Sequence, residues 1–199
     1  MNLNLSYQDF CKFSNASIHR LNSNESNELI DEIVFDSRRV VFVKNVLFVA
    51  LKGDFRDGHD FILDAYDKGI RMFLVSKEIN LDQFPEGVFF ICNNVLESLQ
   101  SLASWNRKRT KTKVIAVAGS HGKTTVKEWL YHLLSPHYRV YRSPKSYNSQ
   151  LGVSISLLQL TDQYDYAIIE VGFSLPGEMK KMKKMIVPDY GVLTSFSSS

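Results

Sequence analysis

Cysteine is almost absent: Cys11 and Cys92 are the two in 199 residues, and they form no CxxC pair. That count excludes a disulfide framework and fits a reducing compartment. A strong charge of one sign is missing as well. The formal net charge is +3, too small a surplus for the basic face of a nucleic-acid binder, so no nucleic-acid partner is expected. Long hydrophobic runs are lacking too. The most apolar stretch, residues 40–51, is interrupted by Lys44 and Asn45 and falls short of the about 20 apolar residues that span a bilayer. The first ten residues hold neither a basic segment nor an apolar one, which argues against a secretory leader. These absences predict a soluble, cytoplasmic protein with no membrane insertion.

What remains can build a core. Hydrophobic residues make up 44% of the chain and charged residues 23%, a balance that excludes disorder over most of the length. The length suits one large domain or two small ones. A basic segment with Arg107, Lys108, Arg109, Lys111 and Lys113 separates two halves. Such a tract can grip phosphates, but a solvated connector is the favoured reading. The expected division is a small α/β domain over 1–108 and a second α/β domain over 112–199.

In the first half, strands are expected at 33–35, 46–50, 72–75 and 88–91, where β-branched and large apolar residues cluster. Helices are expected over 61–68, stopped by Gly69, and over 94–106. The second half is more regular. Strands are predicted at 113–118, 139–142, 165–171 and 191–195. A helix follows the first of these, with Val126, Trp129, Leu130, Leu133 and Leu134 forming one apolar stripe. Another helix covers 178–186, with Met179, Met182, Met185 and Ile186 on one side. This alternation implies a parallel sheet covered on both faces.

The chemistry concentrates in Gly119-Ser120-His121-Gly122-Lys123-Thr124-Thr125, between the predicted strand and helix. Small residues let the backbone turn sharply, and the amides then converge where the helix N-terminus adds its positive end. Lys123 can reach terminal phosphates, and the Thr124 hydroxyl can ligate magnesium. The full phosphate-loop pattern is not met, since Val117 stands where its first glycine belongs. An ordinary strand–turn–helix junction would hold the same residues by chance; the strand before and helix after favour phosphate binding. Glu170 ends a second apolar strand, close to Gly172. A carboxylate there is placed to hold the same magnesium ion. The alternative is a strand-terminal acid facing solvent.

Four ordered motifs then resemble the Mur ligase family of peptidoglycan synthesis. Asp36-Ser37-Arg38, with residues 47–53 and 57–61, resembles the N-terminal domain that holds the UDP end of the substrate. Residues 119–125 resemble the family's ATP loop. Ser146-Tyr147-Asn148-Ser149-Gln150-Leu151-Gly152-Val153 resembles the asparagine segment beside the substrate. Glu170-Val171-Gly172 with Pro176-Gly177-Glu178-Met179 resembles the magnesium-acid motif. Lys127-Glu128 and residues 143–150 are most similar to the branch that adds D-alanyl-D-alanine to UDP-N-acetylmuramoyl-tripeptide. They are similar in particular to a form fused to an alanine racemase. The chain departs from the family pattern at His121, Lys44-Asn45 and Ser154, where asparagine, Pro-Gly and proline are usual.

The resemblance implies a small UDP-binding α/β domain followed by a truncated P-loop parallel-sheet ATPase domain, with ATP and Mg2+ as cofactors. It implies UDP-N-acetylmuramoyl peptide and D-Ala-D-Ala as substrates. Catalytic roles would fall to Lys123 and Glu170, magnesium to Thr124 and Glu170, and substrate contacts to Asp36, Ser37, Arg38, Asn148 and Ser149. His59 and His121 are assigned no catalysis. Because the chain stops before the family's metal-site histidine and its carbamoylated lysine, it is read as a fragment, inactive alone. Other readings stay open: the branch that adds an amino acid to the muramoyl-dipeptide, a non-catalytic nucleotide or UDP-sugar-binding module, and an unrelated P-loop NTPase.

Overall fold

The computed structural model describes residues 3–20, 29–39, 44–53, 55–173 and 177–195. Residues 40–43 of the apolar run, Pro176 of the acid motif and the serine tract 197–199 lie outside the described residues. The chain forms two compact units, residues 1–98 and 99–199. Among the described residues, no helix is long and apolar enough to cross a membrane.

In the first unit, β1 (Leu5–Ser6) leads into α1 (Tyr7–Ser14), then β2 (Ser17–His19), β3 (Leu29–Ile30) and β4 (Glu32–Val34). The chain continues through β5 (Val46–Val49), α2 (Ile62–Asp67), β6 (Met72–Val75) and β7 (Val88–Ile91) into α3 (Val95–Arg109), within which the two units divide. Strands β4 to β7 pair in parallel, and β2 joins the β7 edge antiparallel. Strands β5 and β6 are buried along their whole length, which is why they read as unbroken apolar runs. Phe48, Phe73 and Phe89 face α2 residues Ile62 and Ala65 in one core layer, with Phe73 stacked on Phe89 at 5.0 Å. Phe90, one residue on, faces the other way and meets Phe10 of α1 at 4.8 Å. Asn45 adopts a left-handed φ of 58° in the turn before β5, a conformation that asparagine tolerates.

The second unit carries β8 (Lys113–Ala118), α4 (Lys123–Leu134), β9 (Val140–Arg142), α5 (Gln150–Leu158), β10 (Tyr166–Val171), α6 (Glu178–Ile186) and β11 (Tyr190–Leu193). The sheet order is β11-β8-β10-β9, all parallel. From β8 the chain steps over β10 to reach β9; from β10 it steps over β8 to reach β11. Two neighbouring strands therefore send their connections in opposite directions. α4 covers the face of Ile115, Val117 and Ile168, and α6 flanks the face of Ala116 and Ala118. Open α/β sheets hold ligands in the crevice that such a reversal leaves at the carboxyl ends of the strands.

Two expectations need correction. The basic segment is not a solvated connector throughout: α3 runs on to Arg109, and Arg107 is buried. Its guanidinium donates to the carbonyls of Ile186 and Val187, both at 2.9 Å, and to Asp189 at 2.8 Å. The stripe on α4 is not all core either. Val126, Leu130 and Leu134 pack on the sheet, but Trp129 and Leu133 are 65% and 71% exposed. The helix is rotated so that Lys127, fully buried, takes the centre of the covered face.

Candidate active site

The loop from β8 to α4 is folded tightly against the end of β11. Gly119 has φ 142°, and a Cβ there would lie 2.2 Å from the Thr194 hydroxyl and 2.9 Å from the Ser195 amide, so only glycine fits. Ser120 N–H donates to the Ser195 carbonyl at 3.0 Å, and His121 N–H to the Ser195 hydroxyl at 2.9 Å. Thr194 Oγ1 donates back to the His121 carbonyl at 2.5 Å. Gly122, with φ 77°, caps α4. The first bond inside the helix is Val126 N–H to the Gly122 carbonyl. The amides of residues 123–125 therefore have no intrahelical acceptor and emerge from the helix end, where the positive pole favours an anion. Lys123 Nζ curls over this turn, donating to the carbonyls of Gly119 at 2.8 Å and Ser120 at 3.1 Å.

Strand pairing brings the acid to this loop. Glu170 lies opposite Val117, and Val171 opposite Ala118, so β10 ends level with the start of the turn. Glu170 is 1% exposed, which overturns the solvent-facing alternative. Its Oε2 accepts from the Thr124 hydroxyl at 2.9 Å, and its Oε1 from Asn148 Nδ2 at 2.9 Å. Gly172 is needed for close approach: its N–H donates to the Asn148 carbonyl at 2.8 Å, and a Cβ would press on that oxygen at 3.0 Å. Ser149 has a local duty, capping α5 by accepting from Gly152 N–H at 3.1 Å. Thr125 and His121 are exposed, and His121 contributes backbone groups to the turn.

A hydroxyl and a buried carboxylate are hard oxygen donors of the kind magnesium takes when phosphates and waters complete its shell. The donor set of Thr124 and Glu170 therefore fits that ion. Among the described residues there is no group of three or more His, Cys, Asp or Glu that could hold a metal by itself.

Lys127 was not singled out for this site. It follows Thr124 by three residues on one helix face, a spacing that puts both beside Glu170. Its Nζ lies 3.5 Å from Glu170 Oε2 and 3.4 Å from Glu128 Oε1. It donates to the Ser143 carbonyl at 3.1 Å and also to the Lys145 carbonyl.

Asp36, Ser37 and Arg38 sit elsewhere, in the first unit. They line a cleft of about 480 Å³ with Phe48, Arg56, Asp64 and Lys68. Ser37 Oγ donates to Asp64 Oδ2 at 2.6 Å, and Lys68 Nζ to the same oxygen at 2.7 Å. These two bonds, Lys68 first, hold the Asp64 carboxyl below the usual carboxylate range. Arg38 forks onto Asp36 through two bonds of 2.8 Å. Next to the cleft, His59 Nε2 accepts from Ser76 N–H at 3.0 Å, so its proton rests on Nδ1, facing Asp57 at 2.5 Å. Lys77 and the His59 amide together draw the Asp57 carboxyl well below its usual range. His59 thus ties the turn of residues 57–59 to the end of β6.

Comparison with known proteins points one way. The family described as "Mur ligase family, catalytic domain" matches residues 29–129, and "Mur ligase middle domain" matches residues 117–199. The chain is 37% identical over 169 residues to the UDP-N-acetylmuramoyl-tripeptide–D-alanyl-D-alanine ligase of Rickettsia prowazekii, covering 85% of this chain and 36% of that protein. It is 32% identical to the ligase of the same description from Escherichia coli, with coverages of 85% and 36%. A solved UDP-N-acetylmuramoylalanyl-D-glutamyl-2,6-diaminopimelate–D-alanyl-D-alanyl ligase from Acinetobacter baumannii superposes with a TM-score of 0.87 at 26% identity, over 98% of this chain and 42% of that one. The MurF ligase of Thermotoga maritima, in complex with ADP, superposes at 0.74 with 30% identity, over 84% and 38%. The chain thus spans somewhat over a third of the length of the curated relatives it matches.

Proposed function

The chain belongs to the Mur ligase family, and from that premise we propose that it carries the ATP loop and the UDP-substrate domain of a ligase joining D-alanyl-D-alanine to UDP-N-acetylmuramoyl-tripeptide. The observation that carries the reading is the Thr124–Glu170 contact at the mouth of the 119–125 turn. A turn suited to phosphate and a buried acid meet there at a sheet reversal, and both motifs lie within residues 117–199, the stretch matched by the Mur ligase middle domain. We assign residues 112–199 to ATP and residues 1–108 to the UDP end of the substrate.

The reaction answers a chemical difficulty, since a carboxylate is a poor electrophile for amide formation. Transfer of the γ-phosphoryl group of ATP to the tripeptide carboxylate gives an acyl phosphate. The amine of D-Ala-D-Ala attacks that carbonyl and phosphate leaves. The first step asks the protein for position and charge neutralisation rather than covalent chemistry. The amides at the α4 N-terminus take phosphate oxygens, and Lys123 leaves its carbonyl partners to reach the terminal phosphates. Thr124 and Glu170 are the residues that would hold magnesium, which supplies neutralisation of phosphate charge. Asn148 orients the Glu170 carboxylate from the side opposite Thr124. In the first unit, Arg38 supplies a guanidinium donor to the cleft, and the Ser37 hydroxyl becomes a donor when a ligand displaces its bond to Asp64, a set suited to a diphosphate and its ribose.

Isothermal titration tests this directly. ATP with Mg2+ and UDP-N-acetylmuramoyl-tripeptide, added separately, are each expected to bind with one-to-one stoichiometry. Binding of ATP with no binding of the UDP ligand would overturn the ligase reading in favour of an unrelated P-loop NTPase.

A further inference from the structure

We propose that Lys127 is a positioning residue for Glu170: it clamps the segment from β9 to α5 and so holds the carboxylate from both sides. The proposal rests on the ATP-loop reading above and extends it to a residue to which nothing so far has given a role. Lys127 has no exposed surface, although it sits on an amphipathic helix with an open face. A lysine is almost never fully buried unless its ammonium is satisfied. Here the ammonium has four oxygens around it: the Ser143 carbonyl at 3.1 Å, the Lys145 carbonyl, Glu128 Oε1 at 3.4 Å and Glu170 Oε2 at 3.5 Å. Glu128 is a third exposed and shared with Arg142, so Glu170 is the buried anion of the set.

The two carbonyls are not incidental. Lys145 has a left-handed φ of 47°, a conformation a non-glycine residue holds only when its surroundings fix it. The segment that Lys127 fixes then returns to Glu170 at three points. Ser143 Oγ accepts from the Glu170 amide at 3.1 Å, Asn148 Nδ2 donates to Glu170 Oε1 at 2.9 Å, and the Asn148 carbonyl accepts from Gly172 N–H at 2.8 Å. Lys127 thus secures one carboxylate oxygen by charge and the other through the loop that bears Asn148. The oxygen shared with Thr124 is left oriented toward the mouth of the turn. The outward rotation of Trp129 and Leu133 follows from the same requirement, since bringing Lys127 and Thr124 to Glu170 turns those two residues to solvent.

The test compares wild type, Lys127→Met, Glu170→Gln and the double variant, using ADP with and without Mn2+ in titration calorimetry. Lys127→Met is expected to leave metal-free ADP affinity within twofold and to cut the Mn2+-dependent gain in affinity about tenfold. In the Glu170→Gln background the same change is expected to have no further effect on that gain, because Lys127 acts through the carboxylate. An unchanged gain in Lys127→Met, or equal losses with and without metal, would overturn the proposal. Hydrogen exchange supplies an arm that needs no nucleotide. The Glu170 and Gly172 amides are expected to exchange at least tenfold faster in Lys127→Met, while amides of β6 are unaffected; unchanged protection would also overturn the clamp. Should Lys127→Met fold poorly, the double variant, which removes both buried charges, carries the exchange measurement. A wild-type protein that binds no ADP in either condition refutes the ATP-loop reading, and the exchange result then decides the clamp independently.

Discussion

The two units solve the same folding problem and treat the charges at their candidate sites in opposite ways. Each builds a largely parallel sheet whose central strands are apolar. In the first unit the cleft charges pair at the surface: Lys68 and Asp64 are 41% and 47% exposed, and Arg38 beside Asp36 is 73% exposed. In the second, Lys127 and Glu170 pair with 0% and 1% exposure. Surface pairs stabilise little, because water screens them and holding two long side chains costs entropy. A buried pair adds little net stability when intact, but removing one partner leaves an uncompensated charge in low dielectric. The second unit has therefore committed fold stability to the geometry of its acid, whereas the first can exchange its cleft partners freely for a ligand.

That contrast can be broken at several points. Lys127→Met is expected to destabilise the second unit by about 3–5 kcal/mol in chemical denaturation, with most of the loss recovered by adding Glu170→Gln. Full additivity of the two changes would contradict a buried pair. Ser37→Ala removes a hydroxyl that already spends its proton on Asp64. It should weaken UDP-ligand binding about fivefold, roughly 1 kcal/mol, and leave ATP binding unaltered in the same titrations. Acid titration sharpens the comparison on the first unit. Asp57 is held below its usual range by Lys77 and the His59 amide, so its contribution is fully present above the unfolded carboxylate value of about 3.9. The contribution is lost as pH falls through the lower folded value. Asp57→Asn should thus flatten the acid limb of the stability curve while leaving the neutral limb nearly parallel to wild type. Smallest of all, Glu86→Gln breaks a pair whose partners, Arg71 and Glu86, are 38% and 70% exposed. A change of about 0.5 kcal/mol or less is expected in the same denaturation experiment.

Much of this was readable before any coordinates. Strands β6, β7 and β8 and helix α6 lie where the apolar runs place them, because both-face burial in a parallel sheet leaves a strong compositional trace. The 119–125 turn and Glu170 come together as their positions at the ends of apolar strands implied, and Asn148, named only through the family resemblance, joins them at the carboxylate. Other parts were hidden for physical reasons. β2 is exposed at all three positions and owes its strand form to pairing with β7. Helix α5 contains Gly152, Ser154 and Ser156, residues that read as loop. Its helix tolerates them because the buried serine hydroxyls are satisfied by their own i−4 carbonyls and Gly152 lets the Tyr147 backbone come close. Lys127 was noted only for the family resemblance, and its burial was missed because periodicity scores a lysine as solvent-facing; only the distant carbonyls of residues 143 and 145 make that burial possible. Trp129 and Leu133 misled for the complementary reason, since an apolar stripe says nothing about which part of it a functional side chain displaces.

The central claim is that nucleotide and UDP ligand are held by separate machinery in the two units, and Lys123→Ala tests it most directly. Calorimetric titration of that variant should show ATP–Mg2+ affinity lowered by about 100-fold or more, near 3 kcal/mol, with UDP-N-acetylmuramoyl-tripeptide binding as in wild type. Equal loss of both ligands, or ATP binding that survives, would contradict the account.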